Sequence, residues 1–129
     1  MTEKNYNESQ EMYLETILRL CSKKADVHSI DVADELNYSK PSVSRAMGIL
    51  KKDGYIEMNK NGKLTLTEAG RMKAEKIFTR HKILTEALKD LGVEDRSAEE
   101  NACRIEHVIT DDVIEAIEAR ILDGERDKK

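Results

Sequence analysis

The sequence predicts a mainly α protein, a winged helix-turn-helix of three helices plus a two-stranded wing, followed by a further helical domain. Three observations carry that expectation. Lys, Glu, Leu, Ala and Ile dominate and Pro41 is the only proline, so helix is favoured over sheet. Capping residues recur just ahead of apolar positions of helical period. One segment, "YIEMNKNGKLTLT" (55–67), breaks that period with strand-like alternation around Asn61-Gly62, a strong hairpin-turn signal.

Taken in order, "NESQEMYLETILRLCSK" places Met12, Tyr13, Ile17, Leu18 and Leu20 at roughly helical spacing. Asn7 and Gln10 are spaced as a capping box, which predicts a helix starting near Glu8. After the polar break "KKADVH", "SIDVADEL" forms a short helix capped by Ser29, with Ile30, Ala33 and Leu36 on its inner side. "NYSK" is a turn. "SKPSVSRAMGILKKDG" is the third helix, with Ser39 as cap, Pro41 in the first turn where no backbone donor is missed, and Gly54 as terminator. Tyr55–Met58 and Lys63–Leu66 are short strands on either side of "NKNG". Thr67 caps a long helix ending near Gly92. Ser97 and Glu100 are spaced as another capping box, opening a helix through "NACRIEHVI", and Thr110 caps a last one over "DDVIEAIEARIL". The terminal "GERDKK" reads as a frayed tail.

The chain carries a formal charge of -4, but the charge is uneven. Between Leu36 and Lys63 stand Lys40, Arg45, Lys51, Lys52, Lys60 and Lys63, against only Asp53 and Glu57. From His81 onward acidic residues outnumber basic ones. A local basic patch binds phosphates even on an acidic protein, because screening confines the field to about a Debye length, ~8–10 Å. No apolar run approaches the roughly 20 residues of a membrane span, and "MTEKNYNESQ" lacks a signal-peptide core. Cys21 and Cys103 are too few for a disulfide framework. A cytoplasmic protein without membrane partner is the expectation.

Two short helices joined by a tight turn, then a hairpin, is the order in which a winged helix places its second helix in the major groove. The first turn of that helix (Ser39, Lys40, Pro41, Ser42, Ser44, Arg45) is small and polar where bases and phosphates would be met. Val43, Ala46, Met47 and Leu50 would face the core. Arg45 is the candidate for base readout, since its fork matches guanine acceptors. Lys51, Lys52, Lys60 and Lys63 would contact phosphate. Such helix pairs also occur as plain packing units; the wing and the local positive charge favour double-stranded DNA.

Cys103, Glu106 and His107 sit three and four apart, on one face if the segment is helical, with Glu99 a turn earlier. The first helix offers Met12 and Glu15, and the long helix His81. Thiolate, thioether and imidazole suit a late first-row divalent ion, and added carboxylates also suit Fe(II) or Mn(II). Each residue also has a structural reading: Met12 as core, His81 as surface, Cys103 as a small buried hydrophobe, Glu106 as half of an ion pair.

"EMYLETI", "RHKIL", "NACRIEHVITDDV", "YSKPSVSRAMGILKKDGYI" and "LTLTEAG", in that family's order and spacing, resemble the diphtheria toxin repressor family of metal-dependent transcriptional repressors. The resemblance covers about residues 8–122 and implies a cytoplasmic homodimer bound to operator DNA, with half-sites about one helical turn (~34 Å) apart. It implies a winged-helix domain over 1–70 and a helical dimerisation and metal-binding domain over 71–129. It assigns Met12, Cys103, Glu106 and His107 to a primary regulatory site, to which the Cys103 carbonyl also contributes. His81, with Glu99 and Glu15, is assigned to an ancillary site. Iron-type members carry histidine where Glu99 stands, and a carboxylate where Thr85 stands, with Glu86 one position on; they also carry a C-terminal SH3-like domain, which this chain is expected to lack. Manganese-type members carry Asp and Glu at the positions of Met12 and Cys103. Sulfur ligands disfavour Mn(II), so Fe(II) is the expected metal, with Mn(II) possible and Zn(II), Co(II) or Ni(II) as substitutes in vitro.

Two other classes compete. A Cys/Glu/His face can serve an enzyme, but no oxyanion-hole motif or Gly-rich phosphate loop accompanies it, and no small-molecule substrate is expected. A metal-independent winged-helix regulator would use Cys103 as an oxidation sensor. Ile77, Leu84, Leu88, Ile114, Ile117 and Ile121 offer more apolar surface than so small a chain covers alone, consistent with a dimer.

Overall fold

The computed structural model describes residues 3–127, with side-chain surroundings described for 9–124. Its elements run α1 (Glu3–Lys23), α2 (Ser29–Leu36), α3 (Lys40–Lys52), β1 (Ile56–Met58), β2 (Leu64–Leu66), α4 (Glu68–Asp90), α5 (Asp95–Ile105) and α6 (Asp111–Asp127). The mainly helical class and the winged helix-turn-helix order are as the sequence predicts. Packing divides the chain within α4, between Lys76 and Ile77, into two compact units.

In the first unit, α1, α2, α3 and the hairpin share one core. Tyr13, Leu14, Ile17 and Leu20 of α1 meet Val32, Ala33, Val43, Met47 and Leu50, with Ile56 and Leu64 from the strands and Ala74 closing it. Leu14, fully buried, belongs to the α1 face that the sequence pattern drew through Met12 and Leu18, both only half-buried. α1 begins at Glu3, so the Asn7–Gln10 pair lies inside the helix and does not cap it. On α2 the buried residues are Val32 and Ala33, whereas Ile30 is exposed, because neighbouring elements choose the inner face of an eight-residue helix. Its cap is His28 and not Ser29: the Asp31 carboxylate accepts from the His28 N–H at 2.8 Å.

The α2–α3 turn passes through Asn37 at φ 56, a left-handed conformation that Asn tolerates. Ser39 caps α3 by accepting from the Ser42 N–H at 3.3 Å, and Pro41 sits in the first turn. Gly54, at φ 84, ends the helix, and the Tyr55 N–H returns to the Leu50 carbonyl at 3.0 Å.

The strands pair antiparallel, Ile56 opposite Leu66 and Met58 opposite Leu64. The turn between them is longer than a two-residue hairpin: the Asn59 carboxamide oxygen accepts from the N–H groups of Asn61 and Lys63, both at 2.9 Å. The Leu64 N–H also donates to the Val27 carbonyl at 2.7 Å, which anchors the wing beside the segment leading into α2. Thr67 caps α4, accepting from the Gly70 N–H at 3.1 Å while its hydroxyl donates to the Gly54 carbonyl at 2.7 Å.

The second unit packs Leu84, Ala102 and Ile114, from α4, α5 and α6, with Ile83, Ile105, Ile109 and Ile117 around them. α5 starts at Asp95 with Glu94 as cap residue, so Ser97 lies in its first turn and is not the cap. Of the apolar residues expected to need a partner, Ile77, Leu84 and Ile114 are buried. The exposed ones are instead Leu91, Val108, Val113 and Leu122. α6 continues to Asp127, through most of the segment read as a tail; residues 128–129 lie outside the described residues. No helix among the described residues is long and apolar enough to cross a membrane.

Candidate metal centre and nucleic-acid interface

In the first unit, every residue assigned to base and backbone contact at the start of α3 is exposed: Ser39, Lys40, Pro41, Ser42, Ser44 and Arg45. Val43, Met47 and Leu50 are buried behind them, with Ala46 partly so, which orients the polar side outward. Lys51, Lys52 and Lys60 are exposed, and Lys63 is half-buried on the wing. The helix and wing therefore present cations on a rigid, cored frame.

The first unit also contains Met12 and Glu15. Met12 is half-buried, and its thioether sulfur accepts from the Tyr38 hydroxyl at 3.6 Å. Glu15 is buried and paired along α1 with Arg19. Cys21 is an exposed thiol near the end of α1. Its surroundings push the thiol up from its ordinary value, desolvation outweighing the opposite pull of Lys63, so little thiolate is available for redox chemistry. Desolvation likewise pushes the Tyr13 hydroxyl up, with Tyr38 adding to it. The Asp31 carboxyl is held below its ordinary range, first by the Lys24 ammonium bonded to it and then by the His28 N–H.

In the second unit, Glu106 is the central group. Its side chain has 0% exposure. One carboxylate oxygen lies 2.8 Å from His81 Nδ1, and the other lies 3.3 Å from His107 Nε2. If His81 Nδ1 carries the proton, Nε2 keeps its lone pair, the tautomer a metal requires. A carboxylate this buried persists only where cationic or coordinating groups compensate its lost hydration. The donor set of one carboxylate and two imidazoles fits a divalent first-row ion.

The helix expected through this segment stops earlier than its sequence pattern predicts. α5 ends at Ile105, Glu106 is its C-cap, and His107 lies in the following turn. Glu106 keeps helical dihedrals, so it stays three residues on from Cys103 along the same helical path, but Cys103 and Glu99 are exposed whereas Glu106 is buried. His81, Glu106 and His107 are nevertheless brought together by the fold. Thr85, where iron-type members carry a carboxylate, is buried, and its hydroxyl has no hydrogen-bond partner among the described residues.

Sequence reasoning missed Arg80. Its Nη1 donates to the carbonyls of Glu106 (3.2 Å) and Ile109 (2.8 Å), and Nη2 pairs with Asp111. Its position directly before His81 was the only local signal.

A winged helix-turn-helix unit followed by a helical unit in which a buried Glu106 lies between His81 and His107 defines a class: winged-helix proteins equipped with side chains able to ligate a metal. Residues 5–64 match the N-terminal DNA binding domain of the iron dependent repressors, and residues 67–129 match their metal binding and dimerisation domain. The chain belongs to this family of metal-dependent, DNA-binding transcriptional repressors, which are not enzymes.

It is 30% identical over 111 residues to the diphtheria toxin repressor of Corynebacterium diphtheriae, covering 85% of this chain and 49% of that protein. It is 32% identical over 107 residues to the iron-dependent repressor IdeR of Mycobacterium tuberculosis, covering 82% and 46%. The chain thus spans about half the length of these curated relatives (49% and 46%). An uncharacterized HTH-type transcriptional regulator of Methanocaldococcus jannaschii is closer in length, with 31% identity over 86% of this chain and 90% of that protein. Among solved structures, a manganese-dependent transcriptional repressor in complex with manganese is similar with TM-score 0.80 at 25% identity, over 86% of this chain and 51% of that chain.

Proposed function

We propose that the chain is a metal-activated repressor of metal-homeostasis genes, binding double-stranded operator DNA as a homodimer when loaded with a divalent ion, Fe(II) first. The observation that carries this reading is the fully buried Glu106 carboxylate between His81 and His107, in a chain that also presents a basic recognition helix. The proposed primary ligands are Met12, Cys103, Glu106 and His107, and the proposed ancillary ligands are His81, Glu99 and Glu15. The sulfur of Met12 and Cys103 favours Fe(II) over Mn(II). Mn(II) is the second reading, favoured by the exposure of Cys103 beside a set, His81, Glu106 and His107, that is purely nitrogen and oxygen.

A divalent ion supplies, when bound, positive charge to a carboxylate that has no access to water. The chain's own groups do the rest. His81 and His107 hold the two oxygens of Glu106, Arg45 reads a base edge, and Lys51, Lys60 and Lys63 take phosphates. By linkage, metal favours the DNA-competent state only through its differential affinity for that state, typically about 1–3 kcal/mol. Dimerisation is supported by an open groove of about 710 Å³ on the second unit, whose apolar lining includes Leu91, Val113 and Ile121.

The test is metal analysis of anaerobically purified protein, with titrations of Fe(II), Mn(II) and Zn(II) and sedimentation of the product. Bound iron and a dimer are expected. Preferential retention of manganese moves the assignment to the second reading, and the absence of any tight divalent site overturns both.

A further inference from the structure

We propose that Arg80 is a positioning residue for the metal centre, setting where Glu106 and His107 stand by clamping the turn that carries them. The inference rests on the metal-centre reading above and adds to it a residue outside the ligand set.

The turn between α5 and α6 has an inherent weakness. α5 ends at Ile105: the Glu106 N–H still bonds the Ala102 carbonyl at 2.9 Å, and the Ile105 carbonyl accepts from the N–H groups of Val108 and Ile109, both at 3.0 Å, but the carbonyls of Glu106 and Ile109 lie past the helix end. Arg80, on α4, supplies donors to these two carbonyls. Nη1 donates to the Glu106 carbonyl at 3.2 Å and to the Ile109 carbonyl at 2.8 Å, and Nη2 pairs with the Asp111 carboxylate. One guanidinium therefore joins the end of α5, the turn, and the first residue of α6. Its side chain is only 12% exposed.

The next residue on α4, His81, meets the Glu106 carboxylate at 2.8 Å. Glu106 is thus held twice from α4, by its backbone through Arg80 and by its side chain through His81. The Arg80 Nε is buried without a hydrogen-bond partner among the described residues, so it is the outer nitrogens that place this side chain. The task suits arginine and not lysine: a planar fork reaches several acceptors in fixed directions, whereas an ammonium is a single point.

Outer partners that orient ligands typically change metal affinity by about 10–100-fold when removed. Arg80→Met should therefore weaken Mn(II) binding, measured calorimetrically under anaerobic conditions, by about 10–100-fold, and should speed amide hydrogen exchange across residues 106–110 in chelator. The Co(II) visible spectrum, which reads ligand placement, should change. Asp111→Ala leaves both carbonyl bonds in place and should cost less than Arg80→Met. Arg80→Lys, which keeps the charge but not the fork, should fall between unaltered protein and Arg80→Met; if Arg80→Met does not fold, Arg80→Lys and Arg80→Gln carry the comparison. Folded variants that bind Mn(II) within about twofold of the unaltered chain, with unchanged exchange at 106–110, overturn the inference. If the unaltered chain itself binds no metal, the metal-centre reading fails instead, while exchange in chelator still reports whether Arg80 holds the turn.

Discussion

Replacing Glu106 by Gln separates the cost of a buried charge from its use. The substitution keeps shape and an acceptor oxygen for His81, and removes only the charge. Glu106 has 0% exposure, so in chelator the variant sheds a desolvation penalty of several kcal/mol while the hydrogen bond to His81 loses its charge assistance, worth about 1.5–3 kcal/mol, together with the ion pair to His107. The two nearly cancel, and the metal-free variant should melt within a few degrees of the unaltered protein. With metal the two diverge. At a metal concentration about 100 times the dissociation constant, binding stabilises the unaltered chain by about 2.7 kcal/mol. Loss of a charged ligand should reach at least the ~100-fold upper end known for outer partners. The variant then sits near its own dissociation constant and gains only about 0.4 kcal/mol. At roughly 4 °C per kcal/mol for a chain of this size, the metal-induced rise in melting temperature should fall from about 11 °C to about 2 °C. Circular dichroism melts in chelator and in Mn(II) or anaerobic Fe(II) measure both numbers. A Glu106→Gln protein that keeps the full metal-induced rise would refute the assignment of Glu106 as a ligand, and one that is unfolded in chelator would refute the cancellation.

The first unit offers three further tests. Met47→Ala, at a position with 0% exposure, should cost about 2–5 kcal/mol in urea unfolding and abolish DNA binding with or without metal, whereas Arg45→Ala should leave stability within about 0.5 kcal/mol and weaken DNA binding alone. Gly70→Ala should destabilise strongly, because a Cβ there overlaps the Tyr55 carbonyl oxygen, which already accepts from the Thr67 N–H at 3.0 Å; wild-type-like unfolding would contradict that contact. Asp31 is held ionised by Lys24 and by the His28 N–H, so its folded value lies below the ordinary 3.8. The stability it contributes is complete above the unfolded value and lost as pH falls through the folded one. The advantage of the unaltered chain over Asp31→Asn in urea midpoints should therefore shrink on acidification from about pH 5 to pH 2, and an advantage that grows would reverse the sign.

The DNA-facing half was legible because its signals are local. Ser39, Pro41, Gly54 and Thr67 each act on backbone within a few residues, and each does what its chemistry predicts. Local signals misled where a better arrangement was available. Asn7 and Gln10 have the spacing of a cap but lie inside α1. Ser97 and Glu100 do likewise inside α5, whose first turn closes from the Ala98 N–H to the Glu94 carbonyl at 2.8 Å. The candidate ligand types at 103, 106 and 107 were equally legible, but their arrangement was not. It depends on where α5 stops, on the Glu106–His81 contact between residues 25 apart, and on Arg80 reaching across to the same turn. No periodicity in one segment encodes contacts made with another.

The central claim is that metal controls DNA affinity, and one titration tests it directly. The unaltered chain, with a DNA duplex selected from a random pool in the presence of metal, is followed by fluorescence anisotropy at fixed salt, once in chelator and once with Fe(II) under anaerobic conditions. A coupling of about 1–3 kcal/mol predicts affinity roughly 5–150-fold tighter with metal. Equal affinity in the two conditions, and again with Mn(II), would contradict the account.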